Sequence, residues 1–310
     1  MTSVDPPRAP DGHGALPSDA REGARVSGGA DWPAPERPGA EAPPPGPTGA
    51  DAWPAWTAPV ALVSGLIGAF VGGLIVVIVA ELAGADVANG DTPPGVLLGA
   101  TAVQDVALVV AAIVFARMTG PVLAEHFGLR PTPFWRAVGA VFVLYIAFYV
   151  FGSIWLELVG GPEDEPLLDD LGVDESTVLL VLGILTVCVL APLVEEFFFR
   201  GFFYRAVRNR LGVAGGAIAT GVIFGAMHAT SSPVEHLVPL AVLGALFCLL
   251  YQYTGSLYPC IAAHAINNSI AFGASEDWGG ETGLLILGSL AACGALAWLV
   301  AGRWRAEANP

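Results

Sequence analysis

The sequence predicts an all-α fold: a polytopic membrane helical bundle of about eight transmembrane helices, with a disordered N-terminal tail. Three observations lead there. Only 13% of the 310 residues are charged while 54% are hydrophobic, and mean hydropathy is +0.64, a balance foreign to soluble domains of this size. From residue 58 onward the apolar residues gather into runs of roughly the 20 residues a spanning helix needs. Between those runs, basic and acidic residues alternate by connection instead of mixing.

Taken in order, residues 1–55 are rich in Pro, Gly, Ala and acids, as in Glu41–Pro47. They lack the apolar content to bury a core and read as a disordered cytoplasmic tail. The tail holds no signal-peptide core, so the first span is expected to be an uncleaved anchor. The membrane domain, 56–305, divides into spans at 58–82, 94–117, 134–158, 177–208, 212–230, 234–253, 257–273 and 282–302. Arg117, Arg130 and Arg136 flank the second connection, Arg205, Arg208 and Arg210 the fourth, and Arg303 and Arg305 the C-terminal end. The alternate connections are acidic, at Asp86 and Asp91, Glu163–Glu175, and Glu276–Glu281. By the positive-inside rule the acidic loops face out, and both termini of this integral, multi-pass cell-membrane chain are cytoplasmic. His126–Pro133 reads as an interfacial turn. Gly68 and Gly72, Gly212 and Gly216, and Gly221 and Gly225 are small-xxx-small pairs that permit close helix approach. Cys188, Cys248, Cys260 and Cys293 match neither a zinc nor a disulfide spacing and read as core residues. The net charge of −15 sits in the tail and one set of loops, so nucleic acid is not an expected partner.

The polar residues inside the spans are few and carry the chemistry. Glu195 and Glu196 stand side by side in an apolar run, with Arg200 four residues beyond Glu196. Ionised groups at bilayer depth are costly and mark function by default. Glu196 and Arg200 share a helical face and neutralise one another, whereas Glu195 points about 100° away and is left without a built-in partner. Phe224 and His228, and His264 and Asn268, form two further pairs at a spacing of four. A lone histidine in an apolar helix is more often a satisfied core residue than a catalyst. Two histidines, an asparagine and an acid doublet over three helices are harder to dismiss, because together they can satisfy one another around a wet cavity. Asp105, a second intramembrane acid, is expected to sit in a buried hydrogen bond or face outer water.

Depth supports a common site. Glu195 stands about 22 Å above Arg210, and His228 about 24 Å above Gly212, at 1.5 Å per residue. His264 reaches that level only if the turn Thr254–Ser256 sinks into a water-filled recess.

Such a set suits amide hydrolysis. Glu195, with His228, would deprotonate an attacking water, and His264 and Asn268 would donate to the oxyanion. Ser269 points off the His264 face and Cys260 has no evident activating partner, which disfavours covalent catalysis. Glu195, His228 and His264 are acceptable zinc ligands by type. The HExxH helix is absent, however, and a nearby arginine opposes a dication, so no cofactor is expected and zinc is the lesser alternative.

The motifs EExxxR (Glu195, Glu196, Arg200), FxxxH (Phe224, His228) and HxxxN (His264, Asn268) resemble the CPBP family of CAAX prenyl endopeptidases and bacteriocin-processing or self-immunity membrane proteins. The resemblance covers about 175–275 and includes the run YQYTGSLYPCIAAHAINN. It implies an all-α bundle with a conical cavity open to the cytoplasmic side, and an intramembrane glutamic endopeptidase. It implies Glu195 as base with His228, His264 and Asn268 as oxyanion stabilisers, and Glu196 and Arg200 as a supporting pair, with Phe224 beside His228. The implied partners are a peptide or lipidated protein substrate and membrane lipid. A non-catalytic immunity or partner-binding protein is the alternative; a transporter has no inverted repeat to support it.

Overall fold

A computed structural model describes residues 53–87, 92–159 and 167–308; the expected tail up to residue 52 lies outside the described residues. Among these residues every long element is helical and no strand occurs. Helices α1 (Thr57–Leu82), α2 (Pro94–Arg117) and α3 (Phe134–Val159) are followed by α4 (177–211) and α5 (213–227). Then come α6 (Val234–Thr254), α7 (Tyr258–Ser275) and α8 (Glu281–Ala308). Among the described residues six stretches are long and apolar enough to cross a membrane: α1, α2, α3, the 51-residue Thr177–Met227, α6 and Glu281–Trp304. The fourth of these is two helices, α4 and α5, joined at Gly212. Helix α7 falls short because His264, Asn267 and Asn268 lower its apolarity. Many large apolar side chains of α1 and α3 point outward, as lipid-facing helices require.

The helices alternate in direction, so the connections collect at two ends. At one end, Trp53, Phe127, Phe198, Phe202, Phe203 and Tyr204 are buried together, with Trp53 5.1 Å from both Phe127 and Phe202 between ring centres. The folded part therefore reaches back into the stretch expected as tail: Trp53 also lies 4.7 Å beneath the Arg205 guanidinium, and its carbonyl accepts from Asn209. At the other end a smaller cluster holds Leu168, Leu171, Val173, Cys188, Phe272 and Leu285.

Two expectations about turns change. The stretch His126–Pro133, expected as an interfacial turn, packs Phe127–Leu129 into the protein as a plug. Phe127 is buried and is the last residue of a 3₁₀ turn, Ala124–Phe127. The Gly128 carbonyl accepts from the Leu257 amide at 2.8 Å, Arg130 Nε donates to the Gly255 carbonyl at 2.6 Å, and Ser256 donates to the Arg130 carbonyl at 2.6 Å. The turn Thr254–Ser256 is thus buried, bonded to Arg130 and Thr132 of that stretch. Gly212 is not a packing glycine: with φ of 70° and ψ of 179° it is the residue that breaks the helix and lets the chain fold back. The other pairs do pack. A Cβ on Gly72 would strike Val103 of α2, and one on Gly221 would strike the backbone of Ala241 and Ala245 in α6.

Candidate active site

Helix α4 changes winding on both sides of the acid doublet. Leu185–Leu190 and Phe197–Phe203 are π-helical, with the Ala191 and Tyr204 amides bonding five residues back to Thr186 and Phe199. Pro192 explains part of this. It has no N–H, so the Val187 carbonyl, next in the five-residue pattern, loses its helical donor. Asn268 of α7 fills that vacancy: its Nδ2 donates to the Val187 carbonyl at 2.8 Å. The carbonyls of Cys188 and Val189 accept from the Cys293 thiol of α8 at 3.8 and 3.6 Å. A winding defect at the acid doublet is thereby tied to the helix that carries the HxxxN motif, in keeping with the tendency of π-bulges to mark functional sites.

The two acids take different partners. Glu196 is fully buried, and its Oε1 accepts from Arg200 Nη1 at 2.7 Å and from His264 Nδ1 at 2.8 Å. Arg200, also fully buried, donates its Nη2 to the Gly244 carbonyl at 3.0 Å and lies 4.5 Å from the Phe224 ring centre and 5.0 Å from that of Phe247. Those contacts give a desolvated cation two aromatic faces and a carbonyl. Glu195 points elsewhere, into a cavity. Its Oε2 is 3.9 Å from His264 Nε2, beyond hydrogen-bond range, and has no hydrogen-bond partner among the described residues.

His264 is 3% exposed and wedged between the rings of Phe224 (5.9 Å, edge-on) and Phe247 (5.4 Å). Because a carboxylate only accepts, Nδ1 carries a proton toward Glu196 and Nε2 is the atom that faces Glu195. His228 caps the end of α5; its Nδ1 lies 2.8 Å from the Phe224 carbonyl, which likewise puts the proton on Nδ1 and frees Nε2.

The cavity holds about 460 Å³, within the range of small-ligand pockets. Glu195, Phe224, His228, His264 and Asn268 all line it, while Glu196 and Arg200 sit behind them. The structure therefore brings together every side chain singled out from the three motifs. One detail differs from the expectation: one of the two Asn268 amide hydrogens is committed to Val187, leaving the other for a ligand. Asp105 is 8% exposed and in electrostatic reach of Glu195, and its Oδ2 has no hydrogen-bond partner among the described residues; neither a buried hydrogen bond at that atom nor outer water accounts for it. Ser269 bonds Ser289 of α8, and Cys260 faces the Phe247 carbonyl, so neither addresses the cavity. Among the described residues no three His, Cys, Asp or Glu side chains converge as a metal site.

Three contributors were not read from the sequence. Asn267 lines the cavity beside Asn268 and was legible in the doublet AsnAsn. Phe247, under His264, sits in an ordinary apolar stretch and carried no signal. Tyr145 of α3 donates to the Ala263 carbonyl, pinning α7 one residue from His264.

Residues 177–270 match the family described as type II CAAX prenyl endopeptidase Rce1-like. The match covers the acid doublet and both histidine motifs, so the resemblance read from them holds over this stretch. A protein of Escherichia coli named "Uncharacterized 24.3 kDa protein" is 30% identical over 129 residues, which are 41% of this chain and 57% of the relative. The "Putative membrane peptidase YdiL" of Bacillus subtilis is 27% identical over 134 residues, 43% of this chain and 52% of the relative. The chain thus spans little more than half the length of these curated relatives. No solved structure matches. With six apolar stretches among the described residues, this is an integral membrane protein, and its segment 177–270 is similar to the Rce1-like family.

Proposed function

We propose that the chain is an intramembrane endopeptidase that hydrolyses a peptide bond with a glutamate-activated water. The observation that carries the reading is the division of labour in the doublet. Glu196 is fully buried behind the cavity with its Oε1 held by Arg200 and His264, while Glu195, its side chain partly exposed, lines the cavity together with His228, His264 and Asn268.

In this mechanism Glu195 takes a proton from a water as its oxygen attacks the scissile carbonyl carbon, with His228 Nε2 accepting a hydrogen bond from the same water. The carbonyl oxygen becomes an oxyanion, stabilised by the second amide hydrogen of Asn268 and by His264 Nε2–H. Donation from Nε2 while Nδ1 donates to Glu196 needs the doubly protonated ring. Glu195 and Glu196, one at each nitrogen, flank that cation with two anions. The C–N bond then breaks as Glu195 returns the proton to the leaving amine. No cofactor takes part.

The substrate class is a peptide or protein, lipidated or not. Cleavage of a quenched fluorescent peptide library by purified protein tests the reading. Glu195→Gln should lower turnover by about 10²–10⁴-fold, the usual contribution of a general base. Unchanged turnover in that variant would sink the protease assignment and favour a binding protein. Turnover lost to a chelator and restored by zinc would instead favour a metallopeptidase on the same residues.

A further inference from the structure

Helix α2 lies outside the matched stretch 177–270, yet it forms one wall of the cavity, through Leu97, Thr101, Gln104 and Leu108. Their steps of four, three and four place them on a single helical face. The neighbouring face is taken by packing: Val103 and Ala107 lie against Gly72 and Gly68 of α1. Thr101 donates its hydroxyl proton to the Leu97 carbonyl at 3.0 Å, and the two leucines are apolar. Gln104 therefore carries the polar chemistry of this wall. It stands near the middle of the 24-residue helix, and Asp105, next in the chain, is within electrostatic reach of Glu195. The carboxamide thus sits near the depth of the attacking acid.

A primary amide at bilayer depth is costly unless it is hydrogen-bonded. Gln104 is exposed and lines the cavity, so its partners are what the cavity holds. A carboxamide carries two donors and an acceptor. A peptide main chain offers the complement at each residue, one N–H and one C=O. The wall formed by α7 repeats this chemistry. Asn267 also lines the cavity, and its Nδ2 reaches the Asn268 Oδ1 at 3.5 Å, which leaves its second amide hydrogen and its own Oδ1 for a ligand. The Ala191–Glu196 stretch of α4 packs against both α2 and α7. The acid doublet is therefore flanked by two helices that each turn a carboxamide to the same space.

We propose that Gln104 is a substrate-binding residue that docks the main chain of the peptide beside the scissile bond. Its Oε1 accepts from an N–H and its Nε2 donates to a C=O of the bound chain, fixing that chain in front of Glu195 whatever its side chains. The assignment rests on the peptidase reading. It adds to that reading a contact from outside the three motifs, one that acts on binding and not on the bond-breaking step.

Gln104→Met keeps the length of the side chain and removes both hydrogen-bonding groups. With purified full-length protein and a quenched peptide that the wild type cleaves, KM should rise about tenfold, the loss of two neutral hydrogen bonds, with kcat within about twofold. Peptides in which one non-scissile amide at a time is replaced by an ester then locate the contact, because an ester lacks the N–H. In wild type one such replacement should raise KM. In Gln104→Met the same replacement should have no further effect, while the others act alike in both proteins. An unchanged KM, a loss confined to kcat, or ester effects equal in the two proteins at every position would overturn the proposal. So would a thermal midpoint below that of wild type, which would show the carboxamide bonded within the fold. Binding is read apart from turnover, by the anisotropy of a labelled peptide on Glu195→Gln and on Glu195→Gln/Gln104→Met. If the wild type cleaves nothing, binding that Gln104→Met weakens about tenfold would defeat the peptidase reading and leave this contact standing. Equal affinity in the two variants, or no binding, would defeat the contact itself.

Discussion

Arg200→Met tests the pair on which the division of labour between the acids depends. The substitution keeps an unbranched stem between Phe224 and Phe247 but leaves Glu196, which is fully buried, with His264 as its remaining partner. Removing one member of a buried ion pair costs about 3–5 kcal/mol, because the other charge stays desolvated. At about 2–4 °C per kcal/mol for a domain of this size, the thermal midpoint should fall by roughly 6–20 °C. The double variant Glu196→Gln/Arg200→Met removes both charges and should recover more than half of that loss, since a neutral pair has no ion to strand. The buried cysteines make the assay direct: a fluorophore that reacts with thiols as they become exposed on heating reports unfolding in detergent. A single variant within about 2 °C of wild type, or a double variant no better than the single, would refute the argument that the buried charges are mutually dependent.

Three further outcomes are expected from the same melting assay. Gly221→Leu forces side-chain atoms into the Ala241–Ala245 backbone of α6 and should lower stability by about 1–3 kcal/mol or more, whereas Gly288→Leu, with open space at its Cβ, should be near neutral. Asp105→Asn removes a buried charge whose Oδ2 has no hydrogen-bond partner among the described residues, so the midpoint should hold or rise; a clear fall would mean the carboxylate is paired. Glu276, beyond the end of α7, is held above the ordinary 4.5, first by partial burial, then by the charge of Asp174, by a hydrogen bond with Asp174, and by the charge of Asp169. A raised carboxyl stabilises the fold below its ordinary value, and that contribution is lost as pH rises through the raised one. The midpoint of wild type should therefore fall relative to Glu276→Gln as pH climbs from about 4.5; a constant difference between the two would contradict this.

Much of the architecture was legible because a bilayer leaves a chain few choices. Backbone groups in hydrocarbon must be satisfied within a helix, so run length gives the elements, and the boundaries of α2, α3 and α6 agree with the spans read from the sequence to within a residue or so. Polar residues are costly there, so the few present, Glu195, Glu196, Arg200, His228, His264 and Asn268, identified themselves. The spacing of four between Glu196 and Arg200 even fixed a partnership.

What the tertiary structure alone decided are contacts between helices with no local period to announce them. The sequence holds Pro192, but that its orphaned Val187 carbonyl is met by Asn268 depends on where α7 lies. His264 could have served either acid, and it is the packing of Phe224 and Phe247 around its ring that gives Nδ1 to Glu196 and turns Nε2 toward Glu195. Likewise, hydropathy cannot distinguish a loop lying on the surface from one buried as a plug: the stretch after Phe127 is held in place only because the Leu257 amide is there to donate to the Gly128 carbonyl and the Gly255 carbonyl to accept from Arg130. Helix existence follows from each segment's own transfer free energy, whereas the site follows from pairings between segments, which no segment carries by itself.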